Sequence, residues 1–582
     1  MLQSEYGQKA ISEITTPKSD DKKSCGFLRL SKNRLMQHGA LCVLLLLTLF
    51  RIWLIQNTGW LILADAIHDD MLMVRIANEI GHLAWAGEYD QYTLAKSAGY
   101  PLFLAIGHWL HLPYGVWLGL YIALVSAVTA LSLRPLTQNK IIEGLIYLFI
   151  LYQPIGFSYA GARIYRNALT PWAALLVFAC LIALYLRRNE PSKTLYKWSL
   201  ACAVSLALFW HIREDSVWIL PFVIGASLTI LIFKKHSSSV GLLKYIGALI
   251  FPLIFLGGSC LAVRALNYSC YGVFLENDRT QGTMPEAGSL LMDIEAGSDK
   301  RGAVWVSRKA LKAAKDASPT MAKLEGVEYL WEKWAHDIFN DEEVWGDHFY
   351  WVMRNVLEYN GYFQGNAPET QEVFAKIASE LRDGFDAGIL KRKEGGWRLS
   401  SQHRAVYPDD ITSSLWPALK VYISMGRHAY CDAYTRQSIT GGNSLLPQTE
   451  QVLRMKFDGE SSPAFPFSNA IINAYKIMGN PLMWSALLGF IIICLQCARH
   501  KKIRFDCLGI LMMISSVFWG TYIDVGIAHL FSQWIDPTWG SYFYATAGYT
   551  AIAYCECIIL SCLLNLRRSR TQALTLSDAN GH

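Results

Sequence analysis

The stretch MQHGALCVLLLLTLFRIWLIQNTGWLILADAIHDDMLMVRIANEI, residues 36–80, carries the pattern from which the rest of the chain can be read. Residues 36–56 make an apolar run of the length a helix needs to cross a bilayer. Soon after it the chain presents His68, Asp69 and Asp70 in a row, then a lone Lys96, and then turns apolar again over residues 98–112. Ionisable groups at membrane depth are costly and are kept for pairing or for function. A span that opens onto two carboxylates and an isolated cation therefore predicts a polar chamber at the membrane surface.

Blocks of the same length recur along the whole sequence. The 582 residues are 52% hydrophobic and 17% charged, against about a quarter charged in soluble domains. Apolar blocks at 36–56, 115–133, 141–157, 168–186, 198–212, 217–233, 244–263, 477–497, 506–522 and 542–565 predict about ten spans in an all-α polytopic membrane protein. Residues 98–112 are shorter and run into Pro113, which predicts a half-helix that enters the membrane without crossing it. The first run reads as a retained span, because its apolar core is long and a polar tail precedes it. The expected organisation is a cytoplasmic tail at 1–35, a transmembrane catalytic module at 36–263 with a first outer loop at 57–97, an extracytoplasmic domain at 264–475, C-terminal transmembrane helices at 476–566 and a cytoplasmic tail at 567–582.

The formal charge of +6 is small for this length and reflects basic loops, so no nucleic-acid partner is expected. There is no P-loop, no GxGxxG and no zinc-like Cys/His spacing. Most of the 13 cysteines lie inside apolar blocks and read as small core residues. Cys494 and Cys497 form a CxxC that lacks a partner motif. Cys270 and Cys431 fall in the large polar region, and the sequence leaves their pairing open.

Basic loops stay cytoplasmic. Lys18, Lys22, Lys23, Arg29, Lys32 and Arg34 precede the first span. Arg134/Lys140, Arg187/Arg188/Lys193/Lys197, Lys234/Lys235/Lys244, Arg499/Lys501/Lys502/Arg504 and Arg567/Arg568/Arg570 follow. Ten crossings put every cluster on one side. The opposite side then receives 57–97, two short links at 158–167 and 211–216, and the polar region 264–475, whose run from Pro368 to Leu390 sets Val373, Ile377, Leu381 and Phe385 at helical spacing.

Outward loops should be poor in positive charge, yet these hold Lys96, Arg163, Arg166 and Arg213 beside Asp69, Asp70, Glu214 and Asp215. In RIYRN, Arg163 and Arg166 are three residues apart, and WHIREDSVW gathers His211, Arg213, Glu214 and Asp215 at a helix junction. Cations would hold a lipid phosphate, and a carboxylate would take a hydroxyl proton. The competing reading is interfacial snorkelling and mutual pairing, and for Asp69 an N-cap on a helix starting near Met71. In WAHDIFNDEEVWGDHFYW, residues 334–351, His336, Asp337, Asp341, Asp347 and His348 offer metal-ligand types, while acids before Val344 fit a helix cap and Trp345, Phe349 and Tyr350 a buried stripe. Near the end, Asp524, His529, Asp536, Tyr542 and Tyr544 return to the outer face and are placed to close the chamber.

DDMLMVRIANEI, residues 69–80, resembles the first-loop motif of the GT-C superfamily of polyprenyl-phosphate-sugar-dependent glycosyltransferases. TLAKSAGYPLFLA, residues 93–105, resembles the Lys/Pro segment that follows it, and YAGARIYRNALTPWAALLVFACLIALYLRR, residues 159–188, resembles the span whose outer end carries Arg or Glu. The resemblance covers roughly residues 36–235 and departs at Met73 and at Ser97-Ala98. It implies a GT-C-like fold in a cell inner (plasma) membrane, with a polyprenyl-phosphate sugar donor and a glycan or lipid acceptor. Asp69 would be the base and Asp70 would orient the acceptor or a metal ion, the need for one being undetermined. Lys96, Arg163, Arg166 and Arg213 would bind the donor phosphate, with His68, His211, Glu214, Asp215 and Tyr100 contacting the acceptor or supporting the residues that do. A transporter or flippase of lipid-linked sugars is the alternative, because it also needs charges in a membrane cavity.

Overall fold

The structure, a computed structural model, describes residues 20–234, 241–297, 302–364, 367–436, 438–440, 446–499 and 501–579. Lys18 and Lys235 of the basic clusters lie outside these residues, as do the side chains of Lys22, Lys23, Arg29, Lys32, Arg34, Lys501, Lys502, Arg504 and Arg570.

A chain in hydrocarbon must satisfy its backbone internally, so each apolar block winds into a helix. Nine helices among the described residues are long and apolar enough to cross a bilayer: His38–Gln56, Tyr114–Ser132, Lys140–Phe157, Arg166–Leu186, Ser192–Ile212, Leu242–Tyr271, Phe465–Arg499, Cys507–Phe531 and Ala547–Arg568. The tenth expected span, 217–233, is the shorter apolar stretch Ser216–Ile232. The chain is a multi-pass, mostly helical membrane protein. The expected half-helix is Gly99–Trp109, whose 11 residues reach about 16 Å, too short to cross.

Two compact units divide at Arg51/Ile52. The first is the Asp20–Gln56 helix up to Arg51, whose Leu41, Leu45, Leu46 and Leu49 are more than half exposed, as lipid-facing residues are. In the second unit, Arg166–Leu186 is the most enclosed span, 89% buried, against 22% for Leu242–Tyr271. At its far end Arg187 donates to the carbonyls of Leu131 and Ser132, and Arg188 to that of Phe233. These cations close the last turns of neighbouring helices, where the helix dipole favours positive charge.

The buried apolar residues of the 264–475 stretch are shared between two cores. Residues 284–406 build their own helical core around Trp331, Phe349, Val352, Ile377 and Leu381, which Leu530 and Phe531 join from the end of a span. The Ala367–Asp386 helix buries Val373, Ile377 and Leu381 as its spacing requires, with Phe385 packed at the margin. Pro408–Gly426 instead buries Ala418, Val421, Tyr422 and Met425 in the core of the membrane helices. The Tyr422 hydroxyl meets Thr521 Oγ1 at 2.6 Å, and Tyr522 donates to the Leu415 carbonyl. Ser438–Thr440 then pairs in parallel with Leu61–Leu63 in the one sheet of the described residues. Cys270 is exposed and Cys431 is buried in the membrane-helix core, and both are free thiols, so they do not pair.

Candidate functional site

The loop after the first span is held by its own backbone. Leu61 bridges to Arg163, and the Leu63 amide donates to Asp70 Oδ2 at 2.9 Å. That brings Asp70 under the Arg163 guanidinium, which grips it through Nε at 2.9 and 3.0 Å and through a terminal nitrogen at 2.5 Å. Asp70 is fully buried. Burial pushes its carboxyl up, to about 6, against the pull of Arg163, and at neutral pH it is still the carboxylate that Arg163 clamps.

Asp69 points elsewhere. It stands at the N-cap of the Asp70–Gly81 helix, yet its side chain makes no capping bond. It faces Lys96 Nζ at 2.9 Å and accepts from the Tyr165 hydroxyl at 2.9 Å, with Arg163 at 3.9 Å. Burial would raise the Asp69 carboxyl, but Lys96 above all holds it well below the ordinary range. Its side chain keeps 27% of its surface open.

That opening looks into a cavity of about 160 Å³ at the ends of the spans. Tyr165 and Arg166 stand at the start of one span, Arg213, Glu214 and Asp215 at the end of another, and Asp524, Ile527, Phe531 and Ser532 on the last turns of a third. The 284–406 core roofs it with Trp305, Asp347, His348 and Trp351, and with Gln402 and His403. The cations are paired in turn: Lys96 with Asp69, Arg166 with Glu214 at 2.5 Å, Arg213 with Asp215 at 2.5 Å, and Arg279 with Asp347. Burial would raise Glu214, but Arg166, Lys96 and the Ser97 amide bring it to about 2. Burial lowers His68 and His403 to about 4, so both rings are neutral at pH 7. Arg166 Nε and Arg279 Nε have no hydrogen-bond partner. Aromatic faces complete the wall: Trp351 lies 4.9 Å from His68 and under Lys96, and Trp534 lies 4.7 Å from His348.

Compared with known proteins, the chain matches no family model, no curated protein and no solved structure. The geometry must therefore carry the functional reading.

Of the residues singled out in the sequence, His68, Asp69, Lys96, Arg166, Arg213, Glu214 and Asp215 line the cavity. Asp70 and Arg163 stand behind it, spent on each other, so in this arrangement neither is free for an acceptor, a metal ion or a phosphate. Tyr100 is buried against the Tyr114 hydroxyl at 3.0 Å. His211 turns away, with Nε2 at 3.0 Å from Ser259 Oγ and Nδ1 toward Glu276.

Among the outer-face residues, Asp524 and Tyr544 reach the cavity while His529, Asp536 and Tyr542 do not. In the 334–351 motif, Asp347 and His348 line the cavity, whereas His336 and Asp337 are solvent-exposed. The acids before Val344 do not cap the helix that follows them, which begins at His348; Glu343 Oε2 accepts from the Arg308 amide at the start of the Arg308–Ala317 helix. Asp341 instead accepts from the Trp345 indole. Arg279, Trp305, Gln402 and His403 carried no signal in the sequence, since each is an isolated residue in a polar loop or turn that only folding brings inward.

Proposed function

We propose that the protein is a membrane glycosyltransferase of the GT-C type. It moves a sugar from a polyprenyl-phosphate donor to the hydroxyl of an envelope glycan or lipid, at the extracytoplasmic face of a cell inner (plasma) membrane. One observation carries the reading. Asp69, ionised and excluded from capping, opens into a cavity at the ends of the spans that Lys96, Arg166, Arg213 and Arg279 also line. The resemblance of residues 69–80 to the GT-C first loop, and the indole faces of Trp351 and Trp534 beside a carboxylate, support it further.

The donor phosphate engages Lys96 and Arg166, whose charge stabilises the leaving group as it departs. The acceptor hydroxyl attacks the anomeric carbon and its proton passes to Asp69. The bond from that carbon to the phosphate oxygen breaks, and polyprenyl phosphate leaves with inversion. The leaving group is already a stable anion, so one base suffices where glycoside hydrolysis uses two carboxylates.

Purified protein with radiolabelled polyprenyl-phosphate sugars and a panel of envelope acceptors tests this. Asp69→Asn keeps the side chain's shape but leaves buried Lys96 facing an amide, so it should melt below wild type; measured on folded protein, it should lose transfer by at least about 10²-fold. An Asn variant that transfers at the wild-type rate removes Asp69 from the chemistry. Transport of lipid-linked sugar without transfer would favour a flippase.

A further inference from the structure

Outside the cavity lining, three metal-ligand side chains from separate segments converge near the end of the Ser192–Ile212 helix. His211 ends that helix, Cys260 lies on the Leu242–Tyr271 span, and Glu276 is in the loop that follows. One ligand atom from each lies within 4.8 Å of the others. They are 49 and 16 residues apart, so no short motif announces them.

The hydrogen bonds fix which atoms face the centre. Ser259 has one hydroxyl proton, donated to the Leu256 carbonyl at 2.8 Å. Ser259 Oγ also lies 3.0 Å from His211 Nε2, and with Nε2 carrying the ring proton Nδ1 is left with its lone pair for a ligand. The Nδ1 lone pair then points at Glu276 Oε2, 3.9 Å away. The two Glu276 oxygens are divided. Oε1 is held by Arg264 at 2.9 Å and Gln281 at 3.0 Å, Oε2 accepts from the Trp210 indole at 3.1 Å, and the Cys260 thiol bonds to the same carboxylate. An imidazole lone pair and a carboxylate oxygen thus face each other across a gap beside a thiol. The thiol proton that bonds this carboxylate is the one a bound cation would displace.

We propose that His211 Nδ1, Cys260 Sγ and Glu276 Oε2 bind a divalent zinc ion. Zinc takes imidazole, thiolate and carboxylate at about 2.0–2.3 Å, often with three protein ligands and a water. The ligand atoms close by about an ångström to reach those lengths. Binding displaces the Cys260 thiol proton to solvent, and thiolate and carboxylate together balance the ion's charge. Ser259 and the Arg264/Gln281 pair hold the ring and the carboxylate in orientation, as outer partners do at zinc centres. The ion fixes the loop in which Asp278 meets Arg354 and Arg279 enters the cavity, so it is a structural clamp on the cavity wall, independent of which substrate the cavity takes.

Full-length protein in detergent, loaded with zinc and dialysed, should retain about one ion per chain by elemental analysis. Loading with cobalt(II) should give a thiolate-to-cobalt charge-transfer absorption. Cys260→Ser and Glu276→Gln should lose the bound ion, and Ser259→Ala should weaken zinc binding about 10–100-fold. Chelator should lower the wild-type melting temperature and added zinc restore it. Wild-type protein that keeps no zinc, or cobalt-loaded wild type without the thiolate band, overturns the proposal whether or not the variants fold.

Discussion

The segment that presents Lys96 depends on one missing methyl group. Gly99 opens the Gly99–Trp109 helix against the end of Ser192–Ile212. A Cβ there would lie 2.3 Å from the His211 carbonyl oxygen, 2.5 Å from its carbon and 2.9 Å from the Ile212 nitrogen. All three are backbone atoms, so no side chain can swing aside. Reaching 3.0 Å requires the segments to part by about 0.7 Å. The Ser97 amide, two residues upstream, donates to Glu214 Oε1 at 2.6 Å, and separation weakens that charge-assisted bond.

Overpacking costs about 1–3 kcal/mol, and a weakened bond to a buried charged group adds roughly 1 kcal/mol or more. Gly99→Ala should therefore destabilise by about 2–4 kcal/mol, whereas alanine for glycine in a helix otherwise gains about 0.5–1 kcal/mol. Lys96 moves with the segment, and misplacement by about an ångström costs on the order of 10²-fold in rate. Thermal melts in detergent and sugar-transfer assays read both effects. Gly225→Ala is the internal control, since nothing lies within 4 Å of a Cβ at Gly225. If Gly99→Ala melts and transfers like Gly225→Ala, the close approach does not position Lys96.

Glu214→Gln keeps the acceptor for the Ser97 amide but removes the charge facing Arg166. The folded-state carboxyl lies at about 2 against an ordinary 4.5, so its stabilisation, about 3 kcal/mol, is present above pH 4.5 and lost as pH falls toward 2. Melts at stepped pH should show the variant less stable than wild type at neutral pH, with the gap closing through that window; parallel curves would refute the pairing. For orientation, a cysteine replacing exposed Glu369, in a background where Cys270 is serine, should label from outside intact cells with an impermeant thiol reagent. Labelling only after lysis would reverse the sidedness proposed for the cavity.

The spans were legible because hydrocarbon imposes a length and an apolar composition that few other contexts imitate. The half-helix was legible for the complementary reason, an apolar run too short and stopped by Pro113. The acids and cations next to the spans were visible as costly residues in the wrong place, and most of them do line one cavity. Their partners were not. Asp70 and Arg163 look like site residues in the sequence, and only the folded ion pair between the Arg163 guanidinium and the buried Asp70 carboxylate reveals that they neutralise each other. Trp305, Gln402 and His403 reach the cavity through a helical core of residues 284–406, and Arg279 from the loop before it, whose placement depends on contacts such as Arg354 with Asp278, 76 residues apart. The division of 264–475 was hidden likewise, because the Pro408–Gly426 helix is amphipathic enough to belong to either core.

The charge layout constrains what the cavity can accept. Lys96, Arg166, Arg213 and Arg279 each already face a carboxylate, and Asp524 adds a fifth acid. A neutral sugar alone would meet satisfied pairs in about 160 Å³, below the ~300 Å³ at the lower end of ligand pockets. A phosphate competes for the same cations, so its binding parts the pairs and widens the space. Drawing Lys96 toward the phosphate also strips from Asp69 the strongest of the charges that hold its carboxyl low. Asp69 then rises toward the range in which a carboxylate is an effective base. In the proposed reaction the base is therefore weak while the cavity is closed on itself and strengthens as the donor takes Lys96, which couples proton abstraction to the arrival of the group it serves.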